Sequence, residues 1–236
     1  MLTELQALFG ATGPEATYRD YATAIVDENV LAKSTLATRV KSLRHLRELY
    51  ALRSDVPLFA GLRALWVADA RARPLLVLLC AAACDPLLRS TADVLLEASP
   101  GTTLTAAAFS EAVERSFPGR FTRGVLARIG RNVASSWTQS GHLRGRASKV
   151  RSLVQPTPAA VAYALHLGHL QDDTCTALFH TLWVRLLDAS ETDVRELAGA
   201  AARLGWIGYR ASAGMTEVTF RHLEALSAPP VGQVQP

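Results

Sequence analysis

LTAAAFSEAVERSFPGRFTRGVLARIGRNVASSWTQSGHLRGRASKVRSLVQ, residues 104–155, carries the clearest structural pattern in this chain of 236 residues. Two helices can be located in it by their ends. Thr105 and Thr122 each stand just before an amphipathic run, in the position of a helix N-cap. Pro118 and Gly119 break the chain between the two runs. The pattern predicts a helix over residues 105–117, a short turn, and a second helix from residue 122 to about Gly141.

The second predicted helix has two unlike faces. A period of 3.6 residues places its apolar side chains on one arc of roughly 120°: Val125, Leu126, Ile129, Val133 and Trp137. The opposite arc carries hydrogen-bond donors and acceptors but no carboxylate: Arg123, Arg128, Arg131, Asn132, Ser135, Thr138 and Gln139. A polar helix face of this kind suits insertion into the major groove of DNA.

Beyond Gly141 the residues alternate as in short strands, and Gly145 allows a tight turn between them. We therefore predict a basic β-hairpin, or wing, whose cations would lie along phosphates. Helix, turn, helix and wing together predict a central winged helix-turn-helix. The residues that we expect to contact DNA are Arg120, Arg123, Arg128, Arg131, Ser135, Thr138, Gln139, Arg144, Arg146, Lys149 and Arg151.

Charge is segregated along the chain. Between Arg115 and Gln171 there is no Asp or Glu, whereas nine Arg and Lys residues fall in that interval. The whole chain has 25 basic and 21 acidic residues, a net charge of +4, so the remainder has 16 basic minus 21 acidic residues, or −5. Such segregation indicates a polyanionic partner, most commonly nucleic acid. The alternative is an ordinary solvated helix and hairpin that happen to be basic.

The rest of the chain is rich in Ala and Leu, and its hydrophobic content of 49% favours a mostly helical protein. We predict a mostly α, multi-helix fold in four parts. A helical domain covers residues 1–100, the basic winged helix-turn-helix covers 101–158, a C-terminal helical unit covers 159–228, and a disordered tail covers 229–236. In the C-terminal unit we expect helices over residues 174–187 and 191–204, the latter capped by Ser190, and then a β-hairpin over 206–220. Because helix and hairpin recur in the same order, this unit is predicted to be a second winged-helix-like module.

Two N-terminal segments need an interpretation. Ser34 is expected to cap a helix through Leu52 that is basic over most of its surface, either as a solvated face or as a second contact with the DNA backbone. The most apolar run, residues 74–83, is about half as long as a membrane span and is predicted to be a buried helix. The N-terminus has no pattern typical of a signal peptide. We expect a cytoplasmic protein that is not associated with a membrane.

No motif for catalysis or cofactor binding occurs in the sequence. There is no phosphate-binding loop and no dinucleotide fingerprint. A set of potential metal ligands lies within fifteen residues, but its spacing matches no zinc pattern: His166, His169, Cys175 and His180. The three cysteines suggest no disulfide framework. We therefore expect a non-enzymatic protein without metal, cofactor or small-molecule substrate.

Two segments carry a resemblance to a known family: ENVLAKSTLATR at residues 28–39, followed by a basic helix, and ASSWTQSGHL at residues 134–143. They resemble the small BrxA-like proteins of BREX phage-defence loci, over roughly residues 29–220. The resemblance implies a cytoplasmic, helix-rich, non-enzymatic protein that binds double-stranded DNA beside larger BREX proteins in defence against bacteriophage. Two alternatives remain open. One is a scaffold subunit that docks an acidic protein partner, and the other is a stand-alone transcriptional regulator, which would be dimeric and bind a palindromic operator.

Overall fold

A computed structural model describes residues 2–146, 148–212 and 215–226. Within these residues the chain forms thirteen α-helices, two short 3-10 helices and five strands, with 62% of residues in helices and 7% in strands. The predicted mostly α fold class is confirmed. The tail predicted at residues 229–236 lies outside the described residues.

Seven helices precede the first strand in the described part of the chain: α1 (Leu2–Ala11), α2 (Tyr18–Val26), α3 (Leu36–Tyr50), α4 (Pro57–Ala68), α5 (Arg73–Cys84), α6 (Pro86–Arg89) and α7 (Ala92–Leu96). The N-cap of α3 is Thr35, one residue after the predicted Ser34. Its hydroxyl accepts a hydrogen bond from the Thr38 N–H, and the Thr38 side chain in turn accepts one from the Thr35 N–H. This capping box gives hydrogen-bond acceptors to two backbone N–H groups at the start of the helix.

The most apolar helix, α5, is buried as predicted. Every residue from 75 to 82 is 5% exposed or less. No single helix among the described residues is long and apolar enough to cross a membrane. The segments Ala70–Cys84 and Pro86–Leu96 reach the length and apolarity of a span only when taken together, and they meet at a bend of 105°.

The central segment contains β1 (Thr103–Leu104), α8 (Ala106–Ser116), α9 (Arg123–Gln139), β2 (Leu143–Arg144) and β3 (Lys149–Arg151). The predicted N-caps are confirmed, since Thr105 accepts a hydrogen bond from Ala108 N and Thr122 accepts one from Val125 N. The middle strand of the sheet is β3, which pairs antiparallel with both β1 and β2 in the order β1-β3-β2. Strand β1 therefore lies at one edge of the sheet, although it precedes α8 and α9 in the chain.

The C-terminal segment contains α10 (Pro158–His169), a 3-10 helix (Cys175–His180), α11 (Leu182–Arg185), α12 (Glu191–Arg203), β4 (Gly208–Ser212), β5 (Met215–Thr219) and α13 (Arg221–Ala225). The predicted cap at Ser190 and the antiparallel hairpin are confirmed. The helix predicted over residues 174–187 is wrong. Cys175 has a φ of 53°, and Thr181 is extended so that it can cap α11, so the chain cannot continue as one helix.

Helix α10 lies at the centre of the molecule, with residues 159–168 buried. It packs against α4 and α5 on one side and against α11 and α12 on another. A single contiguous core includes large side chains from all three predicted units, such as Phe59, Trp137 and Trp183. The three units are consecutive along the chain, but they share one hydrophobic core.

Candidate nucleic-acid interface

Helices α8 and α9 pack closely because small residues meet where they cross. A Cβ atom added at Gly130 would collide with Ser110 Oγ and the Ala106 carbonyl oxygen. Ser110 Oγ lies 3.0 Å from the carbonyl oxygen of Leu126 and links the two helices. This close contact determines which face of α9 packs against α8.

The buried side of α9 differs slightly from the predicted apolar stripe. Val133, Ala134 and Trp137 are buried, together with Gly130, whereas Ile129 is only half-buried. Trp137 Nε1 donates a hydrogen bond to Thr91 Oγ1 at 3.0 Å. The buried face of α9 therefore includes its small residues, because they allow the closer contact with α8.

The N-terminal half of α9 presents its cations to solvent. Arg123, Arg128 and Arg131 are exposed, and a Cβ at Gly124 would meet nothing within 4 Å. Arg123 and Arg131 border a groove of 810 Å³ between α8 and α9, opposite Glu111. Within the described part of the chain, no ion pair or side-chain hydrogen bond engages the exposed arginines of the central segment: Arg115, Arg120, Arg123, Arg128, Arg131, Arg144 and Arg146.

The predicted contacts in the C-terminal half of α9 face a different environment. Gln139 accepts a hydrogen bond from Leu2 N at 3.1 Å and donates one to Ser135 Oγ at 3.2 Å. Thr138 is half-buried, and its hydroxyl donates to Ala134 O at 2.7 Å. Ser135 and Gln139 border a cleft of 390 Å³ that they share with α1, α3 and α6 and that includes the carboxylates of Glu4 and Asp85. This end of α9 lies against the N-terminal helices.

At the wing, Arg144 and Arg146 are exposed on either side of Gly145, which has a φ of 97°. Lys149 is half-buried and donates from Nζ to the Gly145 carbonyl oxygen at 2.8 Å. The wing therefore presents two exposed cations, and the ammonium of Lys149 folds back onto the turn.

Arg151 is not at the surface, and its predicted phosphate contact is corrected here. The side chain is 4% exposed and forms a two-pronged ion pair with Asp188, in which Nη1 donates to Oδ2 at 2.9 Å. Its Nε donates to Leu95 O at 3.0 Å, and the same Asp188 carboxylate accepts from Val154 N at 3.1 Å. The guanidinium thus joins the base of the wing to α7 and to the loop before α12.

His142 adjoins this ion pair and is fully buried. Its Nε2 lies 2.8 Å from Leu186 O and its Nδ1 lies 2.7 Å from Ser140 Oγ. Burial lowers the pKa of His142 to about 4, while the Leu186 carbonyl and Asp188 offset part of that fall. At neutral pH the imidazole is uncharged, so it adds no cation to the interface.

Two further groups of residues bear on the predicted sites. On α3, Lys41 and Arg44 are exposed, but Arg39 donates to Val26 O at 3.1 Å. Just past the end of α3, Arg53 pairs with Asp55. Within the described residues, no three His, Cys, Asp or Glu side chains come together in a way that could hold a metal ion. Of the histidines weighed as metal ligands, His166 is buried, and His169 Nε2 lies 2.9 Å from Glu224 Oε1.

No family model, curated protein or solved structure matches this chain. The resemblance to BrxA-like proteins therefore stays a prediction.

Proposed function

We propose that the protein binds double-stranded DNA through its central segment, acting as a winged helix-turn-helix. Helix α8 is the first helix of the motif, α9 is the recognition helix, and the β2–β3 hairpin is the wing. The sheet order β1-β3-β2 supports this reading, because a strand that precedes the two helices and pairs with the last wing strand is typical of winged helices.

The observation that carries the proposal is the set of arginines on the open half of α9 that have no ion-pair partner among the described residues. Their neighbours Gly124 and Ala127 are small, so the helix backbone can approach a nucleic acid closely. Exposed guanidinium groups without a protein partner keep their donors available for phosphate or for guanine edges. Segregated charge on an exposed helix face is the electrostatic footprint expected of a DNA-binding surface.

In this arrangement the exposed arginines of the central segment have different tasks. Arg128 and Arg131 face the major groove, while Arg123 at the start of the helix approaches the backbone. Arg144 and Arg146 of the wing hold phosphates beside it. Arg120 lies in the turn, stacked between Phe117 and Phe121 with Cζ 5.7 Å and 5.6 Å from the two ring centroids, where it can reach a flanking phosphate.

Charge reversal on α9 tests the proposal. We expect Arg128→Glu with Arg131→Glu to weaken binding to a fluorescent duplex by at least ~30-fold at low salt, since two phosphate or base contacts become repulsive. Circular dichroism should show unchanged helicity, because both side chains are exposed.

The matched control reverses two exposed arginines of the C-terminal unit, Arg203→Glu with Arg210→Glu. This control changes the net charge by the same amount and should bind the duplex nearly as the wild type does. Equal losses in both variants would mean that overall charge, and not α9, controls binding. Undetectable binding of the wild type at low salt would favour the scaffold that docks an acidic protein partner.

A role in BREX phage defence is carried only by the resemblance of residues 28–39 and 134–143 and is proposed on that ground. Co-purification of the tagged protein with larger BREX proteins, from a host that encodes them, tests it. The control is the same host with the BREX genes deleted.

A further inference from the structure

Asn132 lies in the middle of α9, one turn after Arg128, and both side chains are exposed. An asparagine at such a position needs an explanation, because Asn is a poor helix former that favours turns and caps. The chain has two asparagines, and Asn29 has the ordinary role. Its φ is 55°, and its Oδ1 accepts a hydrogen bond from Lys33 N at 2.8 Å. Asn132 lies within a helix and supports no turn.

The side-chain amide of Asn132 differs from the other uncharged polar groups on α9. In the last turns of the helix, Ser135 Oγ accepts a hydrogen bond from Gln139 Nε2 at 3.2 Å. Ser136 Oγ donates to the backbone carbonyl of Asn132 at 3.3 Å, and Thr138 Oγ1 donates to a carbonyl of the preceding turn at 2.7 Å. The amide of Asn132 has no hydrogen-bond partner within the described part of the chain. Its oxygen and its NH₂ group can therefore both bond to a ligand.

The surroundings of Asn132 are polar. It borders the cleft of 390 Å³ between α9 and the N-terminal helices. The two carboxylates of that cleft are bonded to other groups: Glu4 Oε1 lies 2.6 Å from Lys33 Nζ, and Asp85 Oδ1 accepts from Leu87 N at 2.9 Å. Asn132 thus lies at the boundary between the basic half of α9 and the half that packs against the N-terminal helices.

We propose, on the basis of the DNA binding proposed above, that Asn132 recognises an adenine in the major groove and makes that binding selective for base sequence. An Asn amide matches adenine, because its oxygen accepts from the N6 amino group while its NH₂ donates to N7. Adenine is the base that presents this pair of groups in the major groove.

Arg128 supplies the neighbouring contact. Its guanidinium can donate two hydrogen bonds to O6 and N7 of a guanine. Side chains four residues apart on a helix are about 6 Å apart, and successive base pairs are about 3.4 Å apart. The preferred duplex therefore has a guanine about two base pairs from the adenine.

Selection from a random duplex library, followed by sequencing, tests this recognition with the full-length wild type and Asn132→Ala in parallel. The wild type should enrich adenine at one position, and Asn132→Ala should lose that preference and keep the rest of the site. Replacing that adenine with 7-deazaadenine, which lacks the N7 acceptor, should weaken wild-type binding at least ~fivefold and leave the affinity of the variant unchanged. Ser135→Ala is the matched control and should keep the wild-type preference, because the Ser135 hydroxyl is already bonded within α9.

The same variant separates base recognition from a structural role. Ala is a better helix former than Asn, so the melting temperature of Asn132→Ala should equal or exceed that of the wild type. The slope of log affinity against log salt should stay the same, because an amide neutralises no phosphate.

An adenine preference that survives in Asn132→Ala, or a wild type that binds all duplexes equally, would overturn the recognition by Asn132 while leaving DNA binding in place. A lower melting temperature for the variant would show that the amide serves the fold and would also overturn it. Failure of the wild type to bind any duplex at low salt would overturn both proposals.

Discussion

Arg195 in the second helix–hairpin unit of the molecule and the exposed arginines in the first differ in whether the protein itself supplies a partner. In the central segment, the exposed arginines of α9 and the wing have no protein partner among the described residues. In the C-terminal unit, Arg195 of α12 donates to Glu191 at 2.7 Å and to Thr216 of β5 at 3.1 Å, and its Cζ lies 4.3 Å from the Phe179 ring centroid. Arg195 is thus satisfied within the protein, whereas the exposed arginines of α9 and the wing, like Arg203 and Arg210 of the second unit, have no ion-pair partner among the described residues.

The same contrast occurs inside the first unit. Arg144 and Arg151 lie on neighbouring strands of one small sheet, yet Arg144 is exposed and Arg151 is enclosed by Asp188, Leu95 and Ser152. A cation in a basic segment can therefore bind a ligand or hold the fold together. The role depends on whether a carboxylate from elsewhere in the chain reaches that cation.

Breaking the buried pair should have the largest effect. Arg151→Ala leaves Asp188 buried without its cation, and we expect the free energy of unfolding to fall by roughly 3–5 kcal/mol. Urea denaturation of the variant and the wild type measures this difference in the free energy of unfolding. Arg144→Ala, in the same sheet but exposed, should change stability by no more than about 0.5 kcal/mol. Similar effects for the two variants would contradict the division into structural and ligand-facing arginines.

The next effect concerns the two glycines of α9. Gly130→Ala forces a Cβ into Ser110 Oγ and the Ala106 carbonyl, and should cost roughly 1–3 kcal/mol of stability. Gly124→Ala meets open space and should stabilise the helix by about 0.5–1 kcal/mol. Thermal melts of both variants give the comparison. If Gly130→Ala were neutral, the close approach of α8 would not be what orients α9.

The smallest effect concerns the wing. If each exposed arginine neutralises one phosphate, the double variant Arg144→Ala with Arg146→Ala should flatten the slope of log affinity against log salt by about two units. Fluorescence anisotropy at several salt concentrations gives the slope. Ser135→Ala, at the closed end of α9, should leave it unchanged. An unaltered slope in the wing variant would exclude the wing from the DNA contact.

Much of the fold could be read from local chemistry. The caps at Thr105, Thr122 and Ser190 are confirmed, as are the buried α5 and the C-terminal hairpin. Caps and helical periodicity act over one or two turns, so a short stretch of residues suffices to determine them. The helix predicted over residues 174–187 is wrong for the complementary reason. Apolar spacing alone could not show that the backbone turns at Cys175 and Thr181.

By itself, the sequence determined where the helices of the central segment begin, where the chain turns, and that cations collect there without carboxylates. Only the tertiary structure decided which of those cations stay at the surface. Arg151 is removed from the surface by Asp188, 37 residues further on, and Gln139 meets α1, 137 residues before it. Such pairings depend on how distant elements pack against one another, and no local pattern encodes that.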